Sequence, residues 1–184
     1  MDAQPVLKKY NGSKKIVLLA IFIALGAVLK ITMAVIPNVE VLTFWIFIVT
    51  VVYGVKLGFV TGVAANMIAD TYIGFGPWTP FISLGFGLVA IITYLYAKGG
   101  FNSKRDYMYC GILVTIAFDL FTVITATWLV LGVPLPVALY MQYGFMPPTF
   151  YPFGLIHTAS NALIFSLLGI RLVKILRMNA HVYC

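Results

Sequence analysis

The chain has 184 residues, of which 62% are hydrophobic and 9% charged, and its mean hydropathy is +1.02. That balance excludes an ordinary soluble domain and identifies an integral membrane protein. The net charge of +7 does not indicate a nucleic-acid partner, because the basic residues flank apolar runs, where they set membrane orientation.

The N-terminal stretch "LKKYNGSKKIVLLAIFIALGAVLKITMAVIP" has a basic region before an apolar one, as a signal peptide does. Its apolar run is too long for that, Lys30 interrupts it, and no A-x-A site follows, so a retained first helix is expected. A helix needs about 20 mostly apolar residues to cross a bilayer. Six segments approach that length: 16–36, 41–55, 57–73, 79–97, 109–132 and 150–173. The second is short for a full crossing and is expected either to be covered by its neighbours or to extend into flanking polar residues. Glycine and proline mark the connections "IPNVE", "GFGPWTP" and "GVPLPVALYMQYGFMPPTFYP". The expected fold is an all-α integral membrane protein, a compact bundle of six transmembrane helices spanning 16–177. Cytoplasmic segments 1–15 and 178–184 flank it.

Orientation follows from the basic residues. With the N-terminus cytoplasmic, Lys8, Lys9, Lys14, Lys15, Lys56, Lys98, Lys104, Arg105, Arg171, Lys174 and Arg177 all fall inside, and the outside loops carry none. Both termini are therefore expected in the cytoplasm of a multi-pass cell-membrane protein. Cys110 and Cys184 fall on the same side, where thiols stay reduced and no disulfide is expected.

With that orientation, nearly all the intramembrane polar residues lie in the outer half. Asn38 and Glu40 lead into the second helix. Asn66 and Asp70 share a face of the third, and His157 and Asn161 share a face of the sixth, each pair at i, i+4. Asp119 lies near the middle of the fifth. A carboxylate in a bilayer costs about 3 kcal/mol, so Asp70 and Asp119 read first as functional. Tyr72, Phe75 and Trp78 flank Asp70, while Tyr140, Tyr143, Phe145 and Tyr151 populate the uncharged loop before the last helix. Together they suggest an outward cavity closed over a flat ligand. Each feature also has a plainer reading: an interfacial aromatic belt, a snorkelling or paired Lys30, and asparagines that bond between helices.

Four stretches carry a resemblance: "AIFIA" in the first helix, "PNVEVLTF" opening the second, "GVKLGFVTGVAANMIAD" with "GPWTP" after it, and "HTASNALIF" in the last. Their order and spacing resemble the substrate-binding S component of an energy-coupling factor (ECF) transporter, over nearly the whole chain. The resemblance implies capture of a vitamin or related micronutrient from outside. It implies delivery inward with a transmembrane T component and two ATPase subunits, with ATP and Mg bound by those partners and no cofactor or metal on this chain. It also implies that Ala20 and Ala24 form the stripe on the first helix that meets the T component. The chain itself has no G-x-x-x-x-G-K-[ST] loop for a nucleotide, and no catalytic residues are expected. Riboflavin, thiamine, folate, and cobalamin or its precursors all suit an aromatic-rich outer pocket.

Two other classes use the same residues. A stand-alone ion-coupled transporter would employ Asp70 and Asp119 as buried carboxylates. An intramembrane aspartyl protease would need them as a dyad, but the sequence around neither has the G-x-G-D context. A zinc or haem site is poorly supported by two histidines and two cysteines spread along the chain.

Overall fold

The computed structural model describes residues 12–144 and 152–182, with side chains described up to 178. Lys8, Lys9, Phe145, Tyr151, Cys184, the side chain of His181, and most of the two flanking segments lie outside the described residues. The described chain is helical: α1 (Gly12–Met33), α2 (Val41–Tyr53), α3 (Val55–Ile73), α4 (Thr79–Ala97), α5 (Lys104–Thr122), α6 (Leu135–Tyr143) and α7 (Phe153–Val182). A π-helical segment, Val123–Val130, continues α5 without a break. Among the described residues, four rods are long and apolar enough to cross a membrane: Gly12–Met33, Thr79–Ala97, Lys104–Val130 and Phe153–Met178. The multi-pass membrane bundle read from composition rests on these four.

Only 79–97 keeps both of its expected bounds, and two of the differences change the architecture. The loop before the last helix contains α6, because Pro134 and Pro136 open a helix that the flanking glycines and prolines hide in the sequence. The last helix continues to Val182, since charged residues past 173 can face solvent without breaking it.

The 13-residue α2 is the centre of the bundle. At 1.5 Å per residue it is about 20 Å long, short of a ~30 Å hydrocarbon core. It is apolar all round, and every residue except Val41 and Trp45 is buried, as a helix without a polar face must be. Trp45 Nε1 donates to the Phe22 carbonyl of α1 at 3.0 Å. Arg177 of α7 donates to the Val51 carbonyl near the α2 C-terminus at 3.0 Å, where the helix dipole favours a cation. Gly54 alone joins α2 to α3, with φ of 102°, a conformation strained for any L side chain.

Helices α5 and α7 run antiparallel in a register of matched rungs four residues apart. Asp119 meets His157 and Asn161 meets Thr115. Next, Phe165 packs into Gly111, where a Cβ would lie 2.8 Å from its ring, and Tyr107 packs on Gly169, where a Cβ would lie 2.5 Å away. Each aromatic ring faces a glycine, so the helices approach closely. Two rungs are polar and two aromatic, and the aromatic pair joins a core in which Phe47 sits 4.7 Å from Phe165 and 5.9 Å from Tyr107.

The up-and-down path collects Lys15, Lys56, Lys98, Lys104 and Arg177 at one end, here the basic end. The loops 34–40 and 74–78 lie at the other.

Candidate functional site

Two buried polar clusters occupy the half of the bundle away from the basic end. The first joins α1, α3 and α4. Gly26 lets α1 approach Ala65 of α3, with a Cβ there 3.0 Å from that of Ala65, and Lys30 follows one turn later on the same face. Lys30 Nζ bonds Asn66 Oδ1 and lies 3.1 Å from Asp70 Oδ1. Asn66 Nδ2 donates to Asp70 Oδ2 at 3.2 Å and to Ser83 Oγ at 2.8 Å. The Lys30 ammonium also sits 5.3 Å from the Phe86 ring centroid. Both oxygens of Asp70 and both ends of the Asn66 amide are therefore engaged within the protein, the arrangement a buried ion pair requires.

The second cluster joins α5, α6 and α7. His157 Nδ1 lies 2.8 Å from Asp119 Oδ1, with side chains 6% and 2% exposed. Asn161 Nδ2 donates to Thr115 Oγ1 at 3.0 Å, and Thr115 in turn donates to the Gly111 carbonyl at 2.7 Å. Tyr143 reaches in from α6, its ring against the position a Cβ of Gly154 would take. Burial pushes the Tyr143 hydroxyl up to about 12, and the Asp119 carboxylate acts in the same direction.

This second cluster differs from the first in its spare valences. Asp119 Oδ2, His157 Nε2, Asn161 Oδ1 and Tyr143 Oη are all buried and have no hydrogen-bond partner among the described residues. Orphaned buried polar atoms are costly, and these four leave both acceptors and donors open. With Nδ1–H directed at the carboxylate, neutral His157 presents Nε2 as an acceptor, and protonated His157 presents it as a donor.

An aromatic pair separates the clusters. Phe86 lies 4.5 Å from Phe118, and Phe118 meets His157 edge-on at 5.8 Å. The sequence reading did not anticipate Phe86, Phe118, Ser83 or Thr115. Thr115 stands one turn before Asp119 and Ser83 interrupts an apolar run, so both were visible as polar residues, but neither is charged.

The remaining expected site residues are distributed as follows. Glu40 caps α2, accepting from the Leu42 N–H at 3.3 Å. Asn38 has φ of 58°, and its carbonyl lies 3.4 Å from the Ser160 hydroxyl of α7. Asn38 and Glu40 line a recess of about 160 Å³ with Lys30, Pro37 and Ile73 at the non-basic end. Tyr72 is 83% exposed and joins neither cluster. Trp78 is half-buried over Gly76. Ala20 and Ala24 lie on the exposed face of α1. Polar groups are not confined to one half: the hydroxyl of Thr50 is buried without a partner among the described residues, and it lies toward the basic end.

The described residues form a helical bundle with four apolar rods of membrane-crossing length and buried polar groups between its helices. The chain belongs to the family described as ECF-type riboflavin transporter, S component, whose model matches residues 11–178. Comparison with curated proteins and with solved structures gave no match. Membrane location, transport and vitamin-type substrate binding follow from the family and the apolar helices together.

Proposed function

We propose that this chain captures riboflavin and delivers it inward with a T component and two ATPase subunits, which would bind the ATP and Mg. In this reading α2 and α3 complete six crossings, and the positive-inside bias places the basic end and both termini in the cytoplasm.

The observation that carries the ligand assignment is the Asp119, His157, Asn161 and Tyr143 cluster. The pyrimidine edge of a flavin presents carbonyl acceptors on either side of an N–H donor. Asp119 Oδ2 and Asn161 Oδ1 are acceptors suited to that N–H or to ribityl hydroxyls. Tyr143 Oη donates to a carbonyl, and so does His157 Nε2 when protonated. Phe118 and Phe86 supply apolar faces for the rings. The family's description supports a flavin over the other vitamins. The recess at Asn38 and Glu40, about 160 Å³, is smaller than the ~300–1,000 Å³ typical of ligand pockets, so entry requires the loops at that end to part. Lys30, Asn66 and Asp70 support the site from behind, and the exposed stripe of Ala20 and Ala24 suits close approach of a T-component helix.

The test is a fluorescence titration of riboflavin with the purified protein in mild detergent, beside Asn161→Ala and Asp119→Asn. Saturable quenching by wild type, weakened at least tenfold in both variants, is expected. Equal quenching by the variants removes the cluster from the site, and none by wild type removes riboflavin. The stand-alone transporter reading predicts uptake without the T component; loss of uptake on its deletion supports the ECF reading.

A further inference from the structure

A cavity at the basic end lies far from the Asp119 cluster, and nothing in substrate capture uses it. It holds about 410 Å³ and opens between α1, the α2–α3 junction and the end of α4, lined by Lys15, Thr50, Tyr53, Lys56, Tyr94 and Ala97 among others. A second, wholly apolar groove of about 360 Å³ shares Val55 and Lys56 with it and continues along α3 past Phe59 and Val60. The two adjoin at Val55 and Lys56, and Lys15 and Lys56 mark the mouth.

The charge around the mouth is of one sign. Lys15 is half-buried at the start of α1 and Lys56 is exposed at the start of α3. A third cation, Lys98, stands 5.0 Å from the ring centroid of Tyr94 on the cavity wall. Among the described residues, no carboxylate lines either space. Asp106, the acid of the neighbouring helix start, has a carboxylate oxygen bound to the Asn102 and Ser103 N–H groups at 2.7 and 2.8 Å, so it is committed to capping α5.

From these features the geometry points to a binding site for an anionic phospholipid at the basic end, its phosphate between Lys15 and Lys56 and its acyl chains in the cavity and along Phe59 and Val60. Three properties select such a lipid over a peptide or a free anion. Lysines at a membrane–water boundary are the recognition chemistry of acidic headgroups. Tyrosines at the same level match the interfacial belt. The groove runs along α3 toward the bundle's middle, where a lipid tail lies and a soluble anion does not. A volume near 400 Å³ is within the range of small-molecule sites.

The test measures which lipid stays with the protein. Wild type, Lys15→Gln Lys56→Gln and a control Lys104→Gln are reconstituted in vesicles of equal phosphatidylglycerol and phosphatidylcholine, extracted in mild detergent, and weighed by native mass spectrometry. Wild type and the control are expected to retain phosphatidylglycerol at least fivefold over phosphatidylcholine, and the double variant to lose that preference. Equal retention of both lipids by wild type overturns the proposal. So does an equal loss in Lys104→Gln, which would report general surface charge. A second measurement places a photoreactive amino acid at Ala97 in the membrane-embedded protein. A lipid-mass adduct supports the site; a cross-link to residues 1–11 or to a T component names a different occupant and overturns it. Unchanged thermal unfolding of the double variant certifies that the loss is not misfolding.

Discussion

Replacing Lys30 by methionine removes the cation from a buried network while roughly keeping the length of the side chain. Lys30 and Asp70 have side chains 15% and 7% exposed, so water cannot freely replace the lost bonds. Two acceptors are orphaned: Asp70 Oδ1 and Asn66 Oδ1. Each stranded buried acceptor costs about 1–3 kcal/mol, and breaking one side of a buried ion pair costs about 3–5 kcal/mol. Lys30→Met is therefore expected to destabilise by about 3–5 kcal/mol. Asp70→Asn alone strands the ammonium and is expected to cost a similar amount. The double variant leaves no buried charge, so it should cost less than either single change.

The assay is equilibrium unfolding in mixed micelles, arranged as a double-mutant cycle. A coupling of about 2 kcal/mol or more is expected, since contacting residues couple by about 0.5–3 kcal/mol. Additive single effects, within about 0.5 kcal/mol, would refute the reading of Lys30 and Asp70 as a mutually dependent pair. The folded Asp70→Asn protein should keep riboflavin affinity within about threefold, under 1 kcal/mol. A tenfold loss of affinity at full stability would instead put Asp70 in contact with the ligand.

Asp119→Asn removes a charged acceptor with a spare oxygen, and a hydrogen bond to a charged group contributes about 1.5–3 kcal/mol, so riboflavin affinity measured by quenching should fall at least tenfold. Gly62→Ala should destabilise by about 1–3 kcal/mol in the same unfolding assay, because the new methyl would lie 2.9 Å from the Phe86 backbone oxygen, which cannot turn aside. Cys110 is 0% exposed, so maleimide labelling of the native protein should leave it unmodified until detergent denaturation exposes it. Ala24→Leu places a bulky group on the exposed face of α1; riboflavin binding should persist while co-purification with the T component falls.

The helices were legible because apolar runs bounded by glycine, proline and lysine are an unambiguous signal, and α4 occupies the span read from the sequence. The helix α6 was not legible: nine residues between prolines and glycines carry too few turns for a period to emerge. At the site, i, i+4 spacing revealed that Asn66 pairs with Asp70 and His157 with Asn161 on common faces, but spacing within a helix cannot say which helix is opposite. The partners Ser83 and Thr115 lie on other helices and depend on register. For Thr115 that register comes from Gly111 and Gly169 receiving Phe165 and Tyr107, and for Ser83 from Gly62 and Gly87 meeting Phe86 and Phe59, fits of shape that composition does not display. Tyr72 shows the same limit in reverse: a residue two positions from Asp70 in sequence projects away from it on the helix.

The two polar clusters have the same kinds of residues and opposite bonding states, and that contrast carries the functional argument. A carboxylate, an amide and an ammonium or imidazole occur in each. In the Lys30 cluster every oxygen of Asp70 and Asn66 has a protein partner, so the group is self-sufficient and stiffens the α1–α3–α4 wall. In the Asp119 cluster the bonds that exist fix the rings and amides in place, while Asp119 Oδ2, His157 Nε2 and Asn161 Oδ1 face no partner among the described residues. A structural network gains nothing from leaving such valences open, because each costs stability. A binding site gains by it: side chains already oriented by Thr115 and by the His157–Asp119 bond lose little entropy when a ligand supplies the missing partners. On the proposed reading, the second cluster is the one that a ligand completes, and the first is the support against which it does so.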